Sequence, residues 1–258
     1  MDLGLTGKRA LVLGASRGLG RAIAETLARE GVRVIAAARN EPAIAEWAAA
    51  TPDCDVTPLR IDLADIASID GTLEAILADG GVDILINNAG GPPPGTALAA
   101  DHAAWTANFS AMAASLFHIT SKLVPAMRER GFGRVITIGS SGVEQPIPNL
   151  AMSNGIRAAV LAWSKTLASE VAGDGVTVNM VVPGRIHTAR VDELDAAAAK
   201  RTGKSVEEIA RASAASIPAG RYGRPQEFAD MVVFLASERA SYVTGSRLRV
   251  DGGAIRSL

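Results

Sequence analysis

The feature that most constrains the fold is a repeated alternation of short apolar runs with longer, helix-length segments. The runs are Arg9–Gly14, Val32–Ala38, Val56–Ile61, Val82–Asn87, Arg134–Gly139, Val176–Val182 and Arg247–Val250. Most are apolar over nearly their whole length rather than at every second position. Strands covered on both faces have this pattern. Between them lie Gly18–Glu30, Ile66–Ala78, Ala103–Arg130 and Leu150–Ala172, each long enough for several helical turns. Repeated strand-then-helix units predict an α/β fold: a doubly wound parallel sheet of about seven strands with helices on both faces.

A chain of 258 residues fits one large domain of this kind, spanning residues 1–258, with a substantial buried core. Hydrophobic residues make up 48% and charged residues 21%, a globular balance. The net charge of −1, with no long block of like charge, argues against a nucleic-acid surface or a polybasic membrane patch. Cys54 is the one cysteine, so neither an internal disulfide nor a zinc cage can form, and no metal is expected. The start, MDLGLTGKRA, lacks the basic-then-apolar pattern of a signal peptide. No apolar run approaches the roughly 20 residues that span a bilayer. A soluble protein of the reducing cytoplasm is the expectation.

One segment, His187–Gly220, falls outside the alternation. Ser205–Glu208 within it matches a capping box, so a short helix is expected to start there. A helical insertion after the sixth strand sits at the carboxyl edge of the sheet, where ligands bind in this architecture. Residues of about 187–220 are therefore read as a lid, with a plain surface excursion as the alternative.

Gly14-Ala15-Ser16-Arg17-Gly18-Leu19-Gly20 follows the first predicted strand and opens the first predicted helix. A glycine-rich turn there lets the backbone approach a pyrophosphate whose charge is met by the helix N-terminus, as in a Rossmann-type dinucleotide site. Sites that favour NAD have an acidic residue after the second strand to bind the ribose 2′-hydroxyl. Here Ala37-Ala38 leads into Arg39, and Arg17 lies in the glycine turn. Two guanidinium groups suit a 2′-phosphate through charge-assisted, bidentate hydrogen bonds. NADP(H) is the preferred cofactor, and NAD(H) is the alternative if these arginines are only solvated.

Three further stretches complete a pattern: Asn87-Asn88-Ala89-Gly90, Pro183-Gly184 and the C-terminal GRYGRPQEFADMVVFLASERASYVTGSRLRVDGG. With them the chain resembles the short-chain dehydrogenase/reductase family, and within it the bacterial β-ketoacyl-acyl-carrier-protein reductase branch. The resemblance runs from about Leu5 to Gly253. It implies a Rossmann-type fold and cofactor contacts at Gly14, Ser16, Arg17, Gly18, Leu19, Gly20 and Arg39. Further contacts are implied at Asp62 and Leu63 beside the adenine, at Asn88, Ala89 and Gly90, and around the nicotinamide at Pro183, Gly184, Ile186 and Thr188. Leu13 departs from the family, which usually has Thr before the first glycine. The family is usually tetrameric through the long helices Ala103–Arg130 and Leu150–Ala172, so a homotetramer is implied.

Hydride transfer to a ketone makes an alkoxide, which needs a proton and stabilising hydrogen bonds. The family meets this need with an Asn, a Ser and a Tyr-x-x-x-Lys pair. Ser140 takes the place of the family's Ser. The Tyr position falls on Ser153 and the Lys position on Arg157, with Ala158-Ala159-Val160 keeping the family's frame. The Asn position, seven residues after Trp105, is Met112, and Asn108 lies one helical turn earlier. The resemblance is thus to an atypical branch lacking the Tyr-x-x-x-Lys pair.

An aliphatic hydroxyl such as Ser153 titrates far above the roughly 10 of a phenol. Arg157 can bring positive charge and bind the cofactor's ribose, but it does not relay protons. His187, four residues after Pro183, is the candidate replacement acid. Glu144 is read as a binding or surface group, and His102 and His118 as packing or solvent contacts. Trp47, Trp105 and Trp163 are read as core or interface anchors. Arg185, His187 and Arg190 are expected to form a positive mouth that attracts an anionic substrate.

The function read from these residues is an NADP(H)-dependent oxidoreductase, a 3-oxoacyl-like carbonyl reductase with a reworked proton path. Its catalytic candidates are Ser140, Ser153, Arg157 and His187. Its partner is a small-molecule carbonyl compound, anionic or linked to a carrier protein or coenzyme A. The alternatives are an isomerase, cyclase or dehydratase with no net redox change, and a non-catalytic NADP(H)-binding subunit.

Overall fold

The computed structural model describes residues 2–257. The chain alternates through β1 (Arg9–Leu13), α1 (Gly18–Arg29), β2 (Arg33–Ala38), α2 (Glu41–Ala49), β3 (Val56–Arg60), α3 (Ile66–Ala78) and β4 (Ile84–Asn87). It continues through α4 (His102–Phe109), α5 (Ser115–Glu129), β5 (Gly133–Ile138), α6 (Ala151–Val171) and β6 (Val176–Pro183). Then come α7 (Ala189–Thr202), α8 (Val206–Ala215), α9 (Pro225–Ala236) and β7 (Arg247–Val250). The expected strands are all present, with ends moved by one or two residues, and α2 and α9 add to the expected helices.

The strands pair in the order β3-β2-β1-β4-β5-β6-β7, and every pairing is parallel. The apolar runs are explained by helices on both faces. In β1, Ala10 and Val12 point to a core shared with Ile23 and Leu27 of α1, Trp47 of α2 and Phe228 and Val232 of α9. Leu11 and Leu13 point the other way, onto Leu73 of α3, Leu116, Ile119 and Leu123 of α5 and Ile156 of α6. Period-two alternation thus feeds two separate cores from one strand. Pro58, which has no ladder donor, is tolerated because β3 is an edge strand.

Local signals set the helix ends. Asp65 caps α3 by accepting from Ala67 N and Ser68 N, and Ser205 with Glu208 forms the expected capping box of α8. The long helix expected over Ala103–Arg130 is divided by a π-helical turn, Ser110–Ala114, between α4 and α5. The Ser115 hydroxyl lies 2.6 Å from Leu63 O and 2.9 Å from Ser110 O. A side chain inserted into the helical ladder widens the turn there. Helices α7 and α8 form the excursion after β6, before the chain returns through α9.

Candidate active site

The strand order reverses between β1 and β4, and such a switch point opens a crevice at the carboxyl ends of the strands. The glycine turn after β1 meets the Asn88 loop after β4 in this crevice. Gly14 has φ +66, and a Cβ on it would lie 2.8 Å from both Asn88 Nδ2 and Asn88 O. A Cβ on Gly20 would lie 2.3 Å from Gly14 O. No side chain fits at either position, so the backbone of the turn is held close to α1 and open to a ligand. Ala15 N donates to Ala37 O at 3.1 Å, and the buried Trp47 donates through Nε1 to Ala15 O at 3.1 Å. This cradle fits the pyrophosphate of a dinucleotide on its own geometry.

The other residues expected on the nucleotide side line the same edge. Asp62 Oδ1 accepts from Ala64 N at 3.0 Å, and Leu63 O accepts from Ser115, so the loop after β3 is tied to the π-helical turn. Arg39 and Arg17 are exposed after β2 and in the glycine turn. Thr188 stands over the turn, its Cγ2 3.8 Å from where a Gly18 Cβ would be. Pro183 ends β6. Gly184 follows, its N–H donating to Val250 O at 2.9 Å, and a Cβ on it would lie 2.6 Å from Asp251 Cα. Ile186 is buried and bridges to Gly223.

The expected reaction end is built on β5 and α6. Ser140 follows β5, and its Oγ accepts from Gly142 N at 3.2 Å, which leaves its O–H free to donate. Ser153 and Arg157 lie one turn apart on α6, on the face turned to the sheet. Ser153 is buried. Arg157 donates from Nη1 to Ile138 O at 2.9 Å and from Nη2 to Ala89 O at 3.2 Å, joining the ends of β5 and β4. No carboxylate among the described residues forms an ion pair with it. Burial, and next the charge of Arg190, push its pKa down to about 10. It therefore remains a cation at neutral pH.

Neighbouring side chains fix this arrangement. Asn154 donates to Ile147 O at 2.9 Å and so pins the loop that precedes α6, while Asn149 in that loop adopts φ 61. Trp105 packs against Gly155, its ring 3.3 Å from where a Cβ would be. Met112 is buried in the π-helical turn, and Asn108 donates to Ala104 O of its own helix at 2.8 Å. His118 meets Asp70 at 2.6 Å, and His102 is the exposed first residue of α4. Trp163 stacks on Phe117 with ring centres 4.3 Å apart.

Two expectations change. Glu144 is not a surface group: its side chain is 3% exposed and pairs with Arg247 at 2.8 Å and with Arg249 of β7. The expected positive mouth is not a free patch either, because each of its basic side chains has a carboxylate beside it. Arg185 meets the buried Asp195 at 2.6 Å, His187 lies 3.5 Å from Asp192, and Arg190 meets Glu193 at 3.2 Å. Glu193 also reaches Arg17 at 3.2 Å, and hydrogen bonds from Arg190 and then Arg17 hold its carboxyl below the ordinary carboxylate range. His187 is 69% exposed beside Asp192. Tyr222, one of two tyrosines in the chain, donates to Asp195 at 2.7 Å, which ties α7 to the loop before α9.

Comparison with known proteins agrees with this geometry. The family model described as "Enoyl-(Acyl carrier protein) reductase" matches residues 14–254. The chain is 40% identical over 254 residues to 3-oxoacyl-(acyl-carrier-protein) reductase FabG of Escherichia coli (strain K12), covering 96% of this chain and 97% of that one. L-sorbose reductase from Gluconobacter frateurii, complexed with NADPH and L-sorbose, superposes with a TM-score of 0.93 at 35% identity over 100% of both chains. An actinorhodin polyketide ketoreductase variant with NADPH superposes with a TM-score of 0.90 at 31% identity, covering 96% and 97%. This chain belongs to the short-chain dehydrogenase/reductase family.

Proposed function

We propose that the chain is an NADP(H)-dependent reductase of carbonyl compounds whose site holds the substrate oxygen without a phenolic acid. The observation that carries this is Arg157, a half-buried cation fixed between Ile138 O and Ala89 O beside the glycine cradle. A bound reduced nicotinamide supplies the hydride. Gly14, Ser16, Arg17, Gly18, Leu19 and Gly20 hold the pyrophosphate side, with Arg17 and Arg39 on the 2′-phosphate. Asp62 and Leu63 flank the adenine. Asn88, Ala89, Gly90, Pro183, Gly184, Ile186 and Thr188 surround the nicotinamide, and Arg157 steadies its ribose. Ser140 donates to the substrate oxygen, Ser153 leaves room beside it, and a water there takes over proton delivery. His187 serves as acid only if the lid moves it away from Asp192.

The relatives named above act on acyl-carrier, sugar and polyketide carbonyls, which supports a small carbonyl substrate, anionic or linked to a carrier or coenzyme A. Among the described residues no helix is long and apolar enough to cross a membrane. A cytoplasmic homotetramer of one domain per chain, with a lid over about 187–220, completes the reading. The 40% exposed Phe109, edge-on to Phe117 at 6.5 Å, supports association along α4 to α6.

Calorimetric titration with NADPH and NADH, followed by reduced-nicotinamide absorbance over a panel of carbonyl compounds, tests the proposal. Tighter binding of NADPH together with substrate-dependent oxidation is expected. Conversion without cofactor turnover would replace the reductase with a non-redox enzyme, and binding with no conversion would leave a cofactor-binding subunit.

A further inference from the structure

The two arginines expected on the 2′-phosphate stand in different company. Arg39, after β2, forms no ion pair among the described residues, whereas Arg17 is already engaged. Its Nη1 lies 3.2 Å from Oε1 of Glu193, a residue 176 positions away near the start of α7. The other carboxylate oxygen, Oε2, lies 3.2 Å from Nη1 of Arg190. One carboxylate thus receives two guanidinium groups, one on each oxygen. Hydrogen bonds from Arg190 and then Arg17 hold its carboxyl below the ordinary range, so Glu193 is an anion at neutral pH.

The place where this happens is built to receive negative charge. Arg17 is the N-cap of α1 and Thr188 the N-cap of α7, and neither side chain makes a capping hydrogen bond. Thr188 Cγ2 lies 3.8 Å from where a Gly18 Cβ would be, so the two helix N-termini meet at the glycine turn. Each favours an anion. A carboxylate and a phosphate also meet a guanidinium in the same way, through paired N–H···O bonds. Arg17 has donors enough for both, but the two anions would then face each other as like charges.

We propose that Glu193 is a determinant of cofactor choice: it occupies Arg17 in the cofactor-free chain as an internal rival of the 2′-phosphate, and so narrows the margin of NADP(H) over NAD(H). This deepens, and rests on, the reading of the crevice as an NADP(H) site with Arg17 on the 2′-phosphate. NADH carries a hydroxyl at that position and leaves the Arg17–Glu193 pair intact. NADPH must displace the carboxylate, so the cost falls on the phosphorylated cofactor alone. Arg190, three residues before Glu193, keeps hold of the displaced carboxylate. Arg39 meets the phosphate with no rival. The side chains of Arg17 and Glu193 are 69% and 47% exposed, which limits the effect. An ion pair of this kind shifts an equilibrium by about 5-fold.

The test is calorimetric titration of the full chain with NADPH, NADH, adenosine 2′,5′-bisphosphate and 5′-AMP at low ionic strength. Glu193→Gln should tighten NADPH and the bisphosphate by about 5-fold and leave NADH and 5′-AMP unchanged. Removing any negative charge near an anion site could give such a gain, so Asp192→Asn is the control. It removes the same charge one residue away, where the acid lies beside His187 at 3.5 Å instead. It should leave the preference unchanged, and equal gains in the two variants would overturn the proposal. In an Arg17→Ala background Glu193→Gln should give no gain, since the rivalry runs through Arg17. A gain that persists there would also overturn it. Weaker NADPH binding by Glu193→Gln would do the same, because the carboxylate would then be positioning Arg17 for the phosphate. Thermal melts show that the variants are folded. A parent that binds neither NADPH nor the bisphosphate loses the NADP(H) reading and the proposal together. A parent that binds NADPH, with the same affinity in Glu193→Gln, loses the proposal alone.

Discussion

The two ends of the crevice are built from different materials. At the nucleotide end the geometry is carried by backbone: Gly14 and Gly20 leave no space for a Cβ, and the turn is closed by Ala15 N on Ala37 O and Trp47 on Ala15 O. At the reaction end it is carried by side chains, above all Ser153 and Arg157 one turn apart on α6. Backbone geometry is fixed by the packing of the whole sheet, so it cannot drift without loss of the fold. Side chains on one helix face can change while α6 keeps its place through Ile156 and Val160. On the proposed reading, this difference would let a chain keep the family's cofactor cradle and depart from its acid.

If that contrast is right, the reaction end should be reversible by side chains alone. The double change Ser153→Tyr with Arg157→Lys is expected to raise reduction of saturated ketones by on the order of 10²–10⁴-fold, with each single change giving much less. Steady-state kinetics on cyclohexanone checks this, and no gain would mean that the side chains are not the whole difference between the two ends. The nucleotide end should be as intolerant as the reaction end is permissive. Gly20→Val drives a side chain onto Gly14 O and should weaken NADPH binding by about 100-fold or more, some 3 kcal/mol, by fluorescence titration. Retained binding would show that the cradle is softer than its contacts imply.

Side chains at the nucleotide end should matter less than its backbone. Arg17→Ala is expected to cost NADPH about 10-fold in affinity, with NADH nearly unaffected, as for loss of a charge-assisted hydrogen bond at an exposed site. Part of that loss is hidden, because Arg17 is bound to Glu193 when no cofactor competes. The smallest effect belongs to a pair outside both ends. Glu227, bonded by Arg221 and by the Arg224 backbone, has its pKa lowered to about 2 from 4.5. A carboxyl with a depressed folded pKa stabilises the fold above its unfolded value, and that contribution fades as the pH falls from about 4.5 to about 2. Melting temperatures of Glu227→Gln across that range should be flatter than those of the parent by a small margin, since the group is exposed.

How much of this was readable in the sequence follows the same division. The strands and the glycine turn stood out because periodicity and glycine spacing are local consequences of backbone geometry. The π-helical turn did not, because it depends on Ser115 meeting Leu63 from another element. The burial of Glu144 was equally hidden, since Arg249 lies 105 residues away along the chain. The neutralised mouth is a different case: Asp192, Glu193 and Asp195 stand within a few residues of Arg185, His187 and Arg190. The basic residues alone read as a positive mouth, and the acids within a few residues of them cancel it. At the expected reaction end the identities of Ser153 and Arg157 were plain, but not that Arg157 is anchored on two backbone carbonyls with no ion-paired acid among the described residues.

The Glu144 pair has a practical side. Arg249 holds Glu144 with one part of its guanidinium and Ser257 O, at 2.6 Å, with another. The last described residue is thereby wired to the loop behind Ser140. An affinity tag fused to that end of the chain would tug on the wire, so preparations tagged there and preparations tagged at the opposite end should be compared before any sluggish turnover is ascribed to the enzyme itself.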